Sequence, residues 1–398
     1  MSDHLITLEK VDQAIDILRE KDVDLWLTFV RETSAVRDPS MSLILSPDLQ
    51  MTWHSAFILT RHGERIAIVG RYDADSVRQT GAYREIIGYD QSIRPALIEV
   101  LNRINPNWIA INYSESDPSA DGLTHGLWTQ LLRGLEGTPY AARLVSAENI
   151  IGALRGRKSR SEIDRVRAAV QETLFIFDEV TTFIRPGLKE TDIRAFMLDK
   201  MTERGLTTAW EAEFCPIVNA HPDSPIGHGA PGAFKTERGH TLHIDFGVAK
   251  DGFCADLQHM WYLLDTGETQ PPADVQRAFD TVRGAILSAA DVLKPGALGW
   301  EVDQAARSYI IKAGYPEYQH ATGHHLGRSA HDGATVLGPK WERYGDTING
   351  VIEAGNIFTL ELGVEVPQRG YVSLEEDVLV TANGLEWLST PQTKIECV

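Results

Sequence analysis

At 398 residues the chain has room for two domains with their own cores, and 43% hydrophobic with 24% charged residues is the balance of an ordinary globular protein. A formal net charge of -18 argues against general nucleic-acid binding and against docking on anionic membranes. No apolar run approaches the roughly 18 residues that a bilayer span needs, and MSDHLITLEK lacks a basic region followed by an apolar core, so neither an anchor nor a secretory leader is expected.

Helical periodicity runs over residues 8–21 through Val11, Ile15 and Leu18, and Asp24–Val30 then reads as a strand. Further strand-like runs are Ala56–Thr60, Ile66–Val69 and Trp108–Asn112, with helical patterns over Ile93–Ile104 and Leu123–Leu135. The alternation predicts an α/β layer domain over residues 1–155. It holds no chemical constellation: Arg31, Trp53 and His54 are isolated. The basic segment Arg155-Gly-Arg-Lys-Ser-Arg160 reads as a solvated linker, and Ser159 with Glu162 has capping-box spacing for a helix from Ser161 to Ile184. The boundary is set at about residue 155, leaving 156–398 as the second domain. Cys215, Cys254 and Cys397 are scattered without paired spacing, which predicts free thiols in a reducing, cytoplasmic compartment.

The second domain contains an internal repeat. Ile184-Arg-Pro-Gly187 precedes a helix ending at Gly205, and Leu293-Lys-Pro-Gly296 precedes a helix ending at Gly314. The offset is 109 for Pro186 to Pro295, Gly187 to Gly296 and Gly205 to Gly314. Each copy follows a long amphipathic helix and leads to a hairpin. In the first, HIDFGVAKDGFCADLQHMWYLL, centring the turn between Lys250 and Asp251 sets Val248 opposite Phe253 and Asp245 opposite Asp256. In the second, Phe358 to Thr381, a turn centred on Gln368 pairs Glu361 with Glu375. Alternation puts Phe358, Leu360, Leu362, Leu374 and Val378 on an apolar face, and Thr359, Glu361, Ser373, Glu375 and Asp377 on the other. Glu376 falls on the apolar-side phase or at a bulge.

Carboxylates paired this closely repel, and a fold keeps them only with a shared proton or an intervening cation. A pseudo-twofold axis relating the hairpins would bring four carboxylates to one centre. Between the hairpins, YQHATGHHLGRSAHD supplies His320, His324, His325 and His331, and a Gly/Pro-rich loop before the first hairpin supplies His228. Imidazole offers a neutral ligand or a proton carrier near neutral pH. His325 and Cys254 read as packing residues.

The series Asp245, Asp256, His324, Glu361 and Glu375 resembles the five-ligand signature of the pita-bread-fold metallopeptidases, carried by HIDFG, CADLQHMW, HATGHHLG, FTLELG and SLEEDVLV. The resemblance covers roughly residues 158–398, and the first domain looks like that of aminopeptidase P, prolidase and creatinase. It implies an α/β N-terminal domain plus an α+β pita-bread catalytic domain with a pseudo-twofold repeat. It further implies two divalent metal ions per chain, with Mn, Co, Zn and Fe all compatible with the donor set. Asp245 would bind one ion, His324 with Glu361 the other, and Asp256 and Glu375 both. His228 and His331 match histidines that contact substrate and stabilise the tetrahedral intermediate, Glu361 would also carry a proton, and His320 would lie hydrogen-bonded nearby. The implied activity is Xaa-Pro aminopeptidase or dipeptidase, by attack of a hydroxide held between the metals. The alternative is a non-peptide reaction on the same scaffold: a cyclic amidine hydrolase acting on an ectoine-type substrate, a creatinase-like hydrolase, or a lyase. Expected partners are a small peptide or small-molecule substrate and a second copy in a homodimer, with no nucleic acid or membrane.

Three positions depart from the family pattern. Ser373 and His259 stand where members often carry arginine, and the glutamate motif reads Glu-Leu-Gly instead of Glu-Pro-Gly. Arg343 or Lys340, in a long His324–Glu361 connection, is the expected replacement for the missing cation.

Overall fold

Strand runs in the first 155 residues are apolar almost without interruption, as in LWLTFV, because both faces of their sheet are covered. The structure, a computed structural model, describes residues 3–227 and 229–398. It divides into two compact units, Met1–Arg155 and Gly156–Val398.

In the first unit, β1 (Leu25–Val30), β2 (Ser55–Thr60), β3 (Arg65–Gly70), β4 (Glu85–Tyr89), β5 (Ile109–Ile111) and β6 (Leu144–Ser146) form one sheet in the order β4-β3-β2-β1-β5-β6. The β1–β2 and β2–β3 pairs are antiparallel and the rest parallel. Alternation sends Trp26, Phe57 and Val69 to a core with Val11, Ile15 and Leu18 of helix Asp3–Glu20. It sends Leu27, Ile58 and Ile66 to another with Leu97, Leu101 and Leu131 of the helices Arg94–Ile104 and His125–Gly134. Strand β4 is missing from the sequence expectation: EIIGY is a half-buried edge strand, with one neighbour to specify it.

The linker expectation for Arg155–Arg160 is overturned. Lys158 and Asp332 form an ion pair of 2.9 Å with side chains only 1% and 2% exposed, and Arg157 holds Glu353 through two contacts of 2.6 and 2.7 Å. A sequence cannot reveal partners 174 and 196 residues away. The capping box on Ser159 and Glu162 does form, and it opens the helix Arg160–Phe183.

The repeat extends to the caps. Helices Glu190–Glu203 and Gly299–Lys312 have the same offset at both ends, as do their N-terminal bonds Lys189 N–H to Asp192 and Leu298 N–H to Glu301. Both end in left-handed glycines, Gly205 and Gly314, with the following N–H returning to Met201 and Ile310.

Short strands β7 (Thr207–Thr208), β10 (Val248–Lys250) and β11 (Phe253–Cys254) form a small sheet. The main sheet contains β8 (Ile217–Asn219), β9 (Thr241–Phe246) and β12 (Leu257–Tyr262). Beyond the connecting pair β13 (Gly323–His324) and β14 (Val336–Leu337), β15 (Ile357–Val366) and β16 (Gly370–Thr381) complete its path, in the order β15-β16-β12-β9-β8. The two hairpins therefore lie side by side, joined where Gln258 faces Glu375. Their apolar face packs on helices Ala273–Val292 and Gly299–Lys312 through Phe358, Leu360, Leu374 and Val378.

Candidate metal centre

The second hairpin has the expected register, with Glu361 opposite Glu375 and a left-handed Gln368 in its turn. The first does not. Lys250 pairs with Phe253 and Asp245 with Gln258, so the expected pairing of Asp245 with Asp256 is out by two residues. The reason is the turn: Asp251 (φ 50°) and Gly252 (φ 76°) are both left-handed and form a two-residue loop centred between them, not one residue earlier. Asp256 reaches Asp245 diagonally, from a break between β11 and β12. Gly247 permits this break, because a Cβ there would sit 1.8 Å from the Ala255 carbonyl oxygen.

The carboxylates still converge. The Asp245 and Asp256 side chains lie close enough to act on each other's protonation, and ligand atoms of Asp256, His324 and Glu375 lie within 4.8 Å of one another. His324 Nε2 stands 3.6 Å from Glu361 Oε1 and 3.9 Å from Asp256 Oδ2. Gly323 lets His324 approach β15 this closely, since a Cβ there would fall 2.0 Å from the Thr359 carbonyl oxygen.

Burial pushes Asp245, Asp256 and Glu375 well above the usual carboxylate range, and the neighbouring negative charges push them further. Burial also lifts Glu361, to about 7, against a lowering bond from Gln258. Asp245 Oδ1 and Glu375 Oε1 are buried with no hydrogen-bond partner. Unsatisfied acceptors among like charges, facing one imidazole, form a donor set suited to hard or borderline cations.

A network that the motif search missed supports these carboxylates. Gln258 Nε2 donates to Glu375 (2.8 Å) and Glu361 (3.1 Å), while its Oε1 accepts from Ser373 Oγ (2.6 Å) and faces His243 Nε2 (2.9 Å). His243 Nδ1 faces Asn219 Oδ1 at 2.9 Å, and Asn219 Nδ2 donates to the Pro225 carbonyl at 2.8 Å. Strand alternation was the available signal, since His243 and Gln258 each lie two residues from an aspartate on the same face. Burial holds His243 down at about 4.

His331 packs edge-on against His324, with ring centroids 4.2 Å apart, and both line the cavity over the carboxylates with His320. This cavity has a volume of about 380 Å³. His228 lies outside the described residues. His325 is buried against Phe358, and Cys254 is a buried free thiol. His259 points to the opposite side of β12 from Gln258 and stacks on Phe177 at 4.3 Å. Arg343 and Lys340 are not brought to the cavity: Arg343 lies over Trp341 and Tyr344, and Lys340 over Trp300 at 3.2 Å.

The sequence profile of metallopeptidase family M24 matches residues 164–382. The chain belongs to this family. YkvY of Bacillus subtilis (strain 168), provisionally named a dipeptidase, is 29% identical over 315 residues, 78% of this chain and 80% of its own. A Xaa-Pro dipeptidase from Bacillus anthracis superposes at a TM-score of 0.73 and 21% identity, covering 98% of this chain and 100% of its own. An X-Pro aminopeptidase from Thermotoga maritima MSB8 does so at 0.69 and 22%, covering 98% and 99%. The pita-bread recognition and the two-part fold class are thereby borne out, and this M24 metallopeptidase is a hydrolase. Among the described residues, no helix is long and apolar enough to cross a membrane.

Proposed function

We propose that this chain is a dinuclear metal-dependent peptidase of Xaa-Pro type, with Asp245, Asp256, His324, Glu361 and Glu375 as ligands. The observation that carries the reading is the convergence of four carboxylates, Asp256 and Glu375 buried and Asp245 and Glu361 half-buried, on one imidazole, with two carboxylate oxygens that lack any partner. The relatives' names, dipeptidase and X-Pro aminopeptidase, support the substrate class. The domain assignments also form part of the reading: 1–155 as the creatinase/prolidase-like domain and 156–398 as the metallohydrolase domain.

Bound divalent ions, with Mn, Co, Zn and Fe as candidates, would lower the pKa of water and polarise the scissile carbonyl. The chain's own groups do the rest. Gln258 holds Glu361 and Glu375 in place through its amide. Glu361 carries a proton to the leaving nitrogen. His331, beside His324 in the cavity wall, donates to the developing oxyanion, with His228 assigned the same task from sequence. His320 lines the substrate space. Unpaired cysteines support a reducing, cytoplasmic setting, and resemblance to the two-domain members supports a homodimer.

Elemental analysis and turnover by Mn- or Co-loaded protein of Xaa-Pro dipeptides, Xaa-Pro-Yaa peptides and ectoine test the proposal. Two metal equivalents and peptide turnover are expected. Turnover of ectoine alone would replace peptide hydrolysis by the non-peptide alternative.

A further inference from the structure

We propose that His221, Glu237 and His240 form a further metal site, separate from the carboxylate centre, that takes a single borderline divalent cation of the Zn²⁺ type.

The ligand atoms of these three residues all lie within 4.8 Å of one another. Two turns bring them together. Glu237-Arg238-Gly239-His240 closes through the His240 N–H on the Glu237 carbonyl (3.3 Å), with Gly239 left-handed at φ 81°, so both side chains leave one turn. His221 opens the other turn, where Ser224 N–H donates to the His221 carbonyl (2.9 Å) and His221 N–H to Ser224 Oγ (3.0 Å). His221 follows β8 and His240 precedes β9, so the cluster stands at the foot of the connection that carries Ile226 and Gly227 to the cavity. An ion held there would tie the two ends of this connection together. From His240 to Asp245 the chain rises about 16 Å, at roughly 3.3 Å per residue, which sets the cluster apart from the carboxylates.

The donors suit a cation. His240 Nδ1 is covered from solvent and has no hydrogen-bond partner. Burial and the neighbouring His221 hold the His240 ring below the ordinary 6.5, so it is a neutral ligand at neutral pH. The His221 ring meets it edge-on, with centroids 5.1 Å apart, and stacks on Phe234 at 5.2 Å, which fixes its plane. His221 Nδ1 faces the Asp223 amide N–H at 3.1 Å and the Asp223 carboxylate at 3.6 Å. With Nε2 on a metal, Nδ1 would carry the proton and turn it to that carboxylate, the usual outer partner of a bound imidazole. Glu237 is exposed and adds one negative charge. Arg369, whose charge also bears on His240, is turned to the Gly239 carbonyl (2.9 Å) and toward Asp274 (3.8 Å). Two imidazoles and a carboxylate are the donors of open zinc sites, where water takes the remaining position.

Elemental analysis of the full-length protein, chelated and then dialysed against micromolar Zn²⁺, tests the site by difference. His221→Ala is expected to retain about one zinc equivalent fewer than wild type. Glu237→Gln, at an exposed position, is expected to weaken that zinc by at least about tenfold in a titration against a chelating dye, since loss of even an outer partner costs about 10–100-fold. Anomalous diffraction at the zinc edge is expected to show a peak between the three residues. Equal zinc retention by wild type and folded His221→Ala overturns the proposal, as does an anomalous peak at the carboxylate centre alone. Should His221→Ala not fold, Glu237→Gln decides, and unchanged zinc affinity there overturns it. The readout is a difference, so it stands apart from the peptidase reading: zinc at His221 with none at Asp245 would end that reading and uphold this one.

Discussion

Gln258 is the smallest unit at which the centre can be altered without touching a proposed ligand. Its amide is the shared donor to Glu361 and Glu375, so Gln258→Met keeps the volume and removes both bonds. Loss of such a supporting partner typically costs about 10–100-fold in metal affinity or activity. Equilibrium dialysis with Mn²⁺ is expected to show that loss, with near-native circular dichroism. The raised carboxylates give a second expectation. Glu361 and Glu376 stand at about 7 in the folded chain, above the ordinary 4.5, so the folded state holds protons that the unfolded state releases. Stability of the metal-free protein therefore falls as pH rises through about 7. His243 and His259, lowered from 6.5 to about 4, act oppositely, but only below 6.5. Thermal unfolding after chelation is expected to occur at a lower temperature at pH 8 than at pH 6.5, and metal is expected to restore more at pH 8, where the carboxylates are ionised. A higher transition temperature at pH 8 without metal would contradict this account.

At the scale of elements, two joints position the site. One is the break beside Gly247. A Cβ placed 1.8 Å from a carbonyl oxygen forces the strands apart, so Gly247→Ala is expected to destabilise by about 1–3 kcal/mol and weaken metal binding together. Denaturant midpoints with and without Mn²⁺ measure both. The other is the buried Lys158–Asp332 pair, which anchors the segment following His331. Removing one partner strands a buried charge at a cost of about 3–5 kcal/mol, so Lys158→Met is expected to be severe. The double change Lys158→Met with Asp332→Leu is expected to recover much of the loss in a urea titration; no recovery would show that the pair contributes more than charge compensation. The second hairpin was legible because strict alternation along Phe358–Val380 permits one register. The first was misread because its Asp-Gly turn was centred one residue early, and a one-residue error in the centre moves the pairing by two.

At the scale of the molecule, the cores are separate: each apolar cluster of the first unit ends by residue 154, and the large cluster of the second begins at Met260. Calorimetric unfolding is expected to show two transitions, of which Mn²⁺ raises only the one belonging to residues 156–398, because a ligand stabilises the unit that binds it. A single transition, or an equal rise in both, would argue against independent units.

The sequence by itself determined the central strands and the long helices of the first domain, the repeat at offset 109, and the carboxylate pair of the second hairpin, but not the edge strands β4 and β6. These depend on local periodicity, caps and turn chemistry, which neighbouring residues encode. Only the tertiary structure decided that Asp245 meets Asp256 on a diagonal, that Asn219, His243, Gln258 and Ser373 form one hydrogen-bonded network, and that Lys158 and Arg157 are ion-paired rather than solvated. Those facts rest on contacts between distant segments, where sheet register and burial choose the partner and no local pattern records the choice.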